Sequence, residues 1–216
     1  MLFKKSPEKF WNLIASKYAS SPISNREAYE TKIQKIKKYL TAEQVVLDIG
    51  CGTGTQCCDI AANVRQVTGI DIASKLLGIA EQRKAEQIET GCKLDHVEFL
   101  QTTVFDERFQ PGSFDVVMAF YVLHLIEDTD AVIKRIHGLL KPDGLFISET
   151  ACIGEKSKLM GKLLRFLGLL GLIPKLKLLT TQQLEQSLET NGFRLVDKTR
   201  FSDSSDAEYT LFAKSE

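Results

Sequence analysis

The sequence predicts an α/β fold in which helices cover both faces of a doubly wound, mostly parallel sheet. Three observations predict it. Short, almost wholly apolar segments alternate with helix-length amphipathic ones, as in parallel strands buried on both sides. The first apolar segment runs into Gly50-Cys51-Gly52-Thr53-Gly54, a glycine turn between a strand and a helix. The last two apolar segments are joined by a short polar stretch, so they form an antiparallel hairpin that closes the sheet.

Residues 1–40 read as two helices. Phe10, Trp11, Leu13, Ile14 and Tyr18 recur at helical spacing, Ser20-Ser21-Pro22 interrupts them, and Tyr29, Ile33, Ile36 and Leu40 mark a second apolar face. The strand Val45-Val46-Leu47-Asp48-Ile49 follows, then a helix over 55–63 and a strand over 67–71 that ends in an acid. A helix over 74–89 carries the stripe Leu76, Leu77, Ile79 and Ala80. Strands are expected over 96–100 and 114–119, and a helix over 128–140 stopped by Lys141-Pro142-Asp143-Gly144. After a strand over 145–148 comes an insertion, 151–180. A helix (181–191), a strand (193–197), a polar turn (202–206) and a strand (208–213) complete the chain. This organisation divides it into an N-terminal helical cap (1–40) and a ligand-binding domain (41–216) that carries the insertion.

Composition narrows the function. The 28 basic and 28 acidic residues cancel, which disfavours a nucleic-acid partner. Five cysteines without CxxC spacing argue against a disulfide framework and a zinc site, and no metal is expected. They read as reduced thiols of a cytoplasmic protein. Met1-Leu2-Phe3-Lys4-Lys5 lacks the pattern of a signal peptide, and no segment has the length and apolarity of a membrane span.

The turn carries the chemistry. Gly50, Gly52 and Gly54 let a ligand approach the backbone where strand becomes helix. Their spacing is GxGxG, not the GxGxxG that a dinucleotide pyrophosphate requires. A cofactor without phosphates needs a backbone shelf and a nearby carboxylate. Asp48 precedes the turn and suits a cationic amino group. Asp71 ends the second strand, where a carboxylate can accept both hydroxyls of a ribose.

Leu47-Asp48-Ile49-Gly50-Cys51-Gly52-Thr53-Gly54, Thr68-Gly69-Ile70-Asp71-Ile72-Ala73, Ser113 to Val117 with Ala119, and Leu140-Lys141-Pro142-Asp143-Gly144 resemble the motifs of class I S-adenosylmethionine-dependent methyltransferases. The resemblance covers about residues 39–212. It implies a seven-stranded sheet with the last strand antiparallel, S-adenosylmethionine as cofactor, and methyl transfer to a small apolar or amphipathic acceptor. It implies that Gly50, Cys51, Gly52 and Gly54 line the cofactor, Asp71 holds its ribose and Ile72 packs on its adenine, with Ala119 and Phe120 at its methionine end. The loop Thr102-Thr103-Val104 would receive the adenine amino group. There the family often has an acid, and this chain has Thr103; Asp106 is the alternative.

Outside these motifs, His124 lies just past the fourth strand, suited to act as a general base or to orient the acceptor. Packing against the cofactor loop is the competing role. Tyr18 and Tyr29 are expected at the cofactor if the helical cap closes over it. Residues 1–40 hold nine basic residues against Glu8, Glu27 and Glu30, and residues 155–177 hold six against Glu155 alone. The insertion is also leucine-rich. It reads first as a lid, second as a homodimer contact and third as a membrane-surface contact through 156–177. Two rival classes stand beside methyl transfer: a non-catalytic S-adenosylmethionine-binding module, and a nicotinamide-dependent oxidoreductase.

Overall fold

A computed structural model describes residues 6–155, 164, 166–168, 173, 175–201 and 208–216. Two helices lead, α1 (Pro7–Ser20) and α2 (Arg26–Lys37). Ser6 caps α1 by accepting from the Lys9 N–H, with Pro7 in the first turn, and Asn25 caps α2 through the Ala28 N–H. Then follow β1 (Val45–Ile49), α3 (Thr55–Ala61), β2 (Gln66–Asp71), α4 (Ser74–Glu89), β3 (Val97–Gln101) and β4 (Phe114–Phe120). The chain continues through α5 (Thr129–Leu139), β5 (Leu140–Ala151), α6 (Thr181–Thr190), β6 (Phe193–Thr199) and β7 (Glu208–Ser215).

The seven strands form one sheet in the order β3-β2-β1-β4-β5-β7-β6. β1 to β5 pair in parallel, and β7 runs antiparallel between β5 and β6. The expected architecture is therefore present. Most boundaries fall within two residues of the sequence reading. The exception is β5, which starts at Leu140 rather than 145. Leu140 already pairs with Phe114, and the register then shifts so that Val116 pairs with Leu145. The tetrapeptide expected to stop the helix is thus a bulge within the strand. Asp143 takes φ 60° there, and Lys141 reaches Asp115 at 2.7 Å.

The pleat sends alternate residues to opposite faces. Leu47, Ile49, Val117 and Ala119 face the side covered by α5 and α6, packed with Ile133, Ile136, Leu184 and Leu188. Val46, Met118, Phe120 and Ile147 face the other side with Ile33 and Ile36 of α2 and Cys57 and Ile60 of α3. Helix α1 departs from its expected apolar stripe. Only Ala15 is buried, and Leu13 stays 65% exposed. The helix rests on α4 rather than on the sheet, through Trp11 and Ala15 against Ala73, Leu76 and Ile79.

Much of the insertion's apolar and basic pattern (Lys156, Lys158, Leu159, Lys162, Leu163, Arg165, Leu170) lies outside the described residues, as does the polar turn 202–206. Leu164 and residues 166–168 are helical, and Phe166 is 57% exposed. The flanks are tied down: the Lys177 N–H donates to the His124 carbonyl at 2.8 Å and the Gly154 N–H to the Leu179 carbonyl at 2.9 Å. Among the described residues no helix is long and apolar enough to cross a membrane.

Candidate active site

A cleft of about 1100 Å³ opens at the carboxyl ends of the parallel strands, with α1 and α2 on its far side. Its floor is the turn after β1. Gly50, Gly52 and Gly54 all have positive φ, at 70°, 55° and 71°. The glycines differ in purpose. A Cβ on Gly50 would meet Val122 at 2.8 Å. On Gly52 it would project into the cleft, its nearest neighbour being the Tyr18 ring at 3.9 Å. On Gly54 it would collide with Phe99 at 2.6 Å and Ala80 at 2.8 Å, beneath the cleft.

Four N–H groups of this turn are engaged within the chain. Those of Gly50 and Cys51 donate to the Ile70 carbonyl at 2.8 and 3.0 Å, and that of Gly54 to the Cys51 carbonyl at 3.0 Å. The Gly52 N–H donates to Asp71 Oδ2 at 3.1 Å. A pyrophosphate cradle needs such groups pointing at the ligand, and those of Gly50, Cys51, Gly52 and Gly54 point back into the chain instead, as a shelf.

The Asp71 carboxylate accepts from the Gly52 and Ala73 N–H groups, one on each oxygen. A carboxylate has about four acceptor sites, so lone pairs remain for hydroxyls of a ligand. Burial raises its pKa, against the lowering effect of the backbone donors. Tyr18 stands near it, and burial and then the charge of Asp71 raise the Tyr18 hydroxyl's pKa.

Of the residues expected from the sequence, the cleft brings together Tyr18, Tyr29, Gly50, Cys51, Gly52, Asp71, Ile72, Thr102, Thr103, Val104, Phe120 and His124. Asp48, Gly54 and Ala119 do not line it. Asp48 points to the α3 side and is 1% exposed, with Cys57 Sγ donating at 3.1 Å. Burial lifts its carboxyl to about 7. Gly54 serves the close packing of α3 and α4 against β3, and Ala119 faces the α5 side. Tyr29 offers its ring, because its hydroxyl donates to Asp59 Oδ2 at 2.5 Å. Asp106 is held by Arg108 at 2.6 Å and Thr102 at 2.7 Å, which keep its carboxyl well below the usual range, and it lies off the cleft. Thr103 takes the wall position instead. Burial pushes the His124 imidazole down to about 4, and its Nδ1 has no hydrogen-bond partner among the described residues.

Among the lining residues that the sequence reading did not single out are Lys32 and Glu149. They form a buried ion pair between α2 and β5, with side chains 5% and 4% exposed. A signal existed. Lys32 interrupts the Tyr29, Ile33, Ile36 face, and Glu149 shares strand parity with the inward Leu145 and Ile147. The pair also removes part of the basic excess of residues 1–40, as does Lys35, which meets Asp197 at 2.8 Å.

Residues 47–148 match the family model of a methyltransferase domain. A ubiquinone biosynthesis O-methyltransferase of Idiomarina loihiensis is 35% identical over 130 residues, 60% of this chain and 51% of that protein. The chain thus spans about half the length of the curated relatives it matches. Among solved structures, magnesium protoporphyrin IX methyltransferase from Synechocystis PCC 6803 with bound SAH aligns with a TM-score of 0.72 at 19% identity, over 97% of each chain. A 4+2 cyclase aligns with a TM-score of 0.75 at 17% identity, over 96% of this chain and 95% of that one. These two likenesses speak to fold alone.

Proposed function

We propose that this chain is a class I S-adenosylmethionine-dependent methyltransferase and that it methylates a hydroxyl oxygen of a small apolar or amphipathic acceptor. The oxygen is taken from the relatives, which are named as O-methyltransferases. The observation that carries the reading is the floor of the cleft: a glycine shelf whose Gly50, Cys51, Gly52 and Gly54 N–H groups are occupied, joined to a carboxylate that keeps free lone pairs. That floor fits a cofactor with a ribose and no phosphate, and it disfavours a nicotinamide dinucleotide.

When bound, S-adenosylmethionine supplies a methyl group already activated on a sulfonium. The residues of the chain bind, align and exclude water. Asp71 accepts the ribose hydroxyls, Ile72 flanks the adenine, and the Thr103 hydroxyl replaces the acid that receives the adenine amino group. Gly50, Cys51 and Gly52 support the ligand from below, and Tyr18 covers it from α1. Phe120 borders the methionine end. Asp48 acts from beneath the turn, by its field rather than by contact. An imidazole held near 4 is a weak base at neutral pH, so His124 orients the acceptor rather than deprotonating it.

We extend the same reading to the remaining parts. Residues 1–40 act as the cap, and the insertion 151–180 acts as a lid in preference to a homodimer or membrane-surface contact. Five unpaired cysteines suit the reducing cytoplasm.

Thermal unfolding with S-adenosylmethionine, its demethylated product and NAD tests the cofactor. Ligand at about 100 times Kd adds about 2.7 kcal/mol, a rise on the order of 5–10 °C for a domain of this size. Transfer of labelled methyl to small molecules from a cell extract tests the reaction. A shift with NAD alone would overturn the assignment, and cofactor binding without turnover would favour the non-catalytic module.

A further inference from the structure

The Lys32 ammonium lies 5.4, 5.2 and 5.3 Å from the ring centres of Tyr29, Phe120 and Tyr121. Its hydrogen-bond partner among the described residues is Glu149. An ammonium has three N–H donors, so one carboxylate does not exhaust it. Lys32 and Glu149 both reach the cleft although each is almost wholly buried. A charge kept this dry interacts strongly with any anion that joins it.

The sheet order gives the pair its place relative to the cofactor floor. Asp71 ends β2, the glycine turn follows β1, Phe120 ends β4, and Glu149 pairs with Phe120 across β4 and β5. Asp71 and Glu149 are therefore three strand spacings apart, roughly 14 Å. Tyr121 fixes this corner: its N–H donates to the Glu149 carbonyl at 2.7 Å, and its φ is 55°, a conformation that non-glycine residues seldom adopt. A ligand with its ribose on Asp71 and its length over β1 and β4 leaves the β5 corner for the second substrate.

We infer that the Lys32–Glu149 pair and the three rings around it are the acceptor-oxygen site, and that the acceptor is a phenol bound as its oxyanion. The inference rests on the methyltransferase reading above and deepens it. The rings of Tyr29, Phe120 and Tyr121 suit a flat apolar body. Lys32 holds the oxygen, and the hydroxyl proton leaves to bulk water on binding. Glu149 keeps the cation paired when no acceptor is present, which a buried ammonium requires. The titratable and charged groups facing Lys32 are Glu149, Tyr29 and Tyr121, with Asp48 close enough to feel its charge. An oxyanion formed beforehand also explains a site whose histidine is a weak base.

The test uses 4-nitrophenol, which absorbs visible light only when ionised, with protein saturated by S-adenosylhomocysteine. At a pH where the free probe is mostly protonated, the wild-type chain should bind it as phenolate. Lys32→Arg should keep that absorbance. The double variant Lys32→Met, Glu149→Leu replaces the pair by apolar groups and leaves no buried charge unpaired. It should bind S-adenosylhomocysteine as the wild type does, lose the phenolate absorbance, and bind the probe at least tenfold more weakly. Phenolate absorbance that survives in the double variant overturns the inference, as does wild-type protein that binds S-adenosylhomocysteine but no phenolate. A double variant that folds but loses S-adenosylhomocysteine would assign the pair to the cofactor instead. Wild-type protein without affinity for S-adenosylhomocysteine would sink the methyltransferase reading, and this inference with it.

Discussion

The carboxylate of Asp71 and the backbone N–H of Gly52 meet at 3.1 Å, which ties the end of β2 to the turn after β1. The same side chain holds the Ala73 N–H at 2.8 Å ahead of α4. One carboxylate therefore shapes the floor of the cleft and supplies its main acceptor.

Asp71→Ala should lower cofactor affinity roughly ten- to a hundredfold, since hydrogen bonds to a charged group are worth about 1.5–3 kcal/mol. Calorimetric titration with S-adenosylhomocysteine measures it. Unchanged affinity in a folded variant would remove Asp71 from the site.

Gly52→Ala and Gly54→Ala should separate binding from stability. At Gly54 the added methyl meets Phe99 and Ala80 at under 3 Å in left-handed backbone. Overpacking and strain together should cost about 2–5 kcal/mol, read as a lower melting temperature. At Gly52 the methyl enters open cleft, so the cost should be the backbone strain alone, about 1–2 kcal/mol. The larger effect there should be on cofactor affinity. If the two variants behave alike, the division of labour between these glycines is wrong.

Thr103→Asp should strengthen cofactor binding about threefold to tenfold, because a charged acceptor outbids a neutral one for the adenine amino group. Loss of binding in a folded variant would mean that the loop after β3 meets another part of the ligand.

Asp48 and His124 should give opposing pH dependences. The Asp48 carboxyl rises from 3.8 to about 7 in the folded chain, so its contribution to stability is complete below 3.8 and is lost as pH rises towards 7. The His124 imidazole falls from 6.5 to about 4, so its contribution is complete above 6.5 and is lost as pH falls towards 4. They span on the order of 4 and 3 kcal/mol respectively, and between pH 4 and 6.5 they oppose each other. Urea unfolding across that window should show stability rising with pH in Asp48→Asn and falling with pH in His124→Gln. Parallel curves for wild type and both variants would contradict these assignments.

The elements were legible because alternation of apolar segments and glycine punctuation are local signals. The β5 bulge was not, since Lys141-Pro142-Asp143-Gly144 reads as a stop until Leu140 is seen pairing with Phe114. The glycine turn and Asp71 were legible as a motif, but the motif did not separate Gly52, which faces the ligand, from Gly54, which faces Phe99. Asp48 was assigned to the cleft because strand parity was not applied to it; parity sends it under α3. Lys32 was not legible as a site residue, because its partner lies 117 residues away and a helical stripe shows only its own side.

The position of β7 bears on how the chain is assembled during synthesis. Among the described residues β6 joins the sheet through β7, which is made after it and pairs on its other side with β5. A ribosome that has released β6 but not β7 therefore holds a domain with the open flank of β5 still unpaired. Such flanks recruit strands from other molecules. Until β7 has left the exit tunnel and paired, that flank is where a chaperone would act.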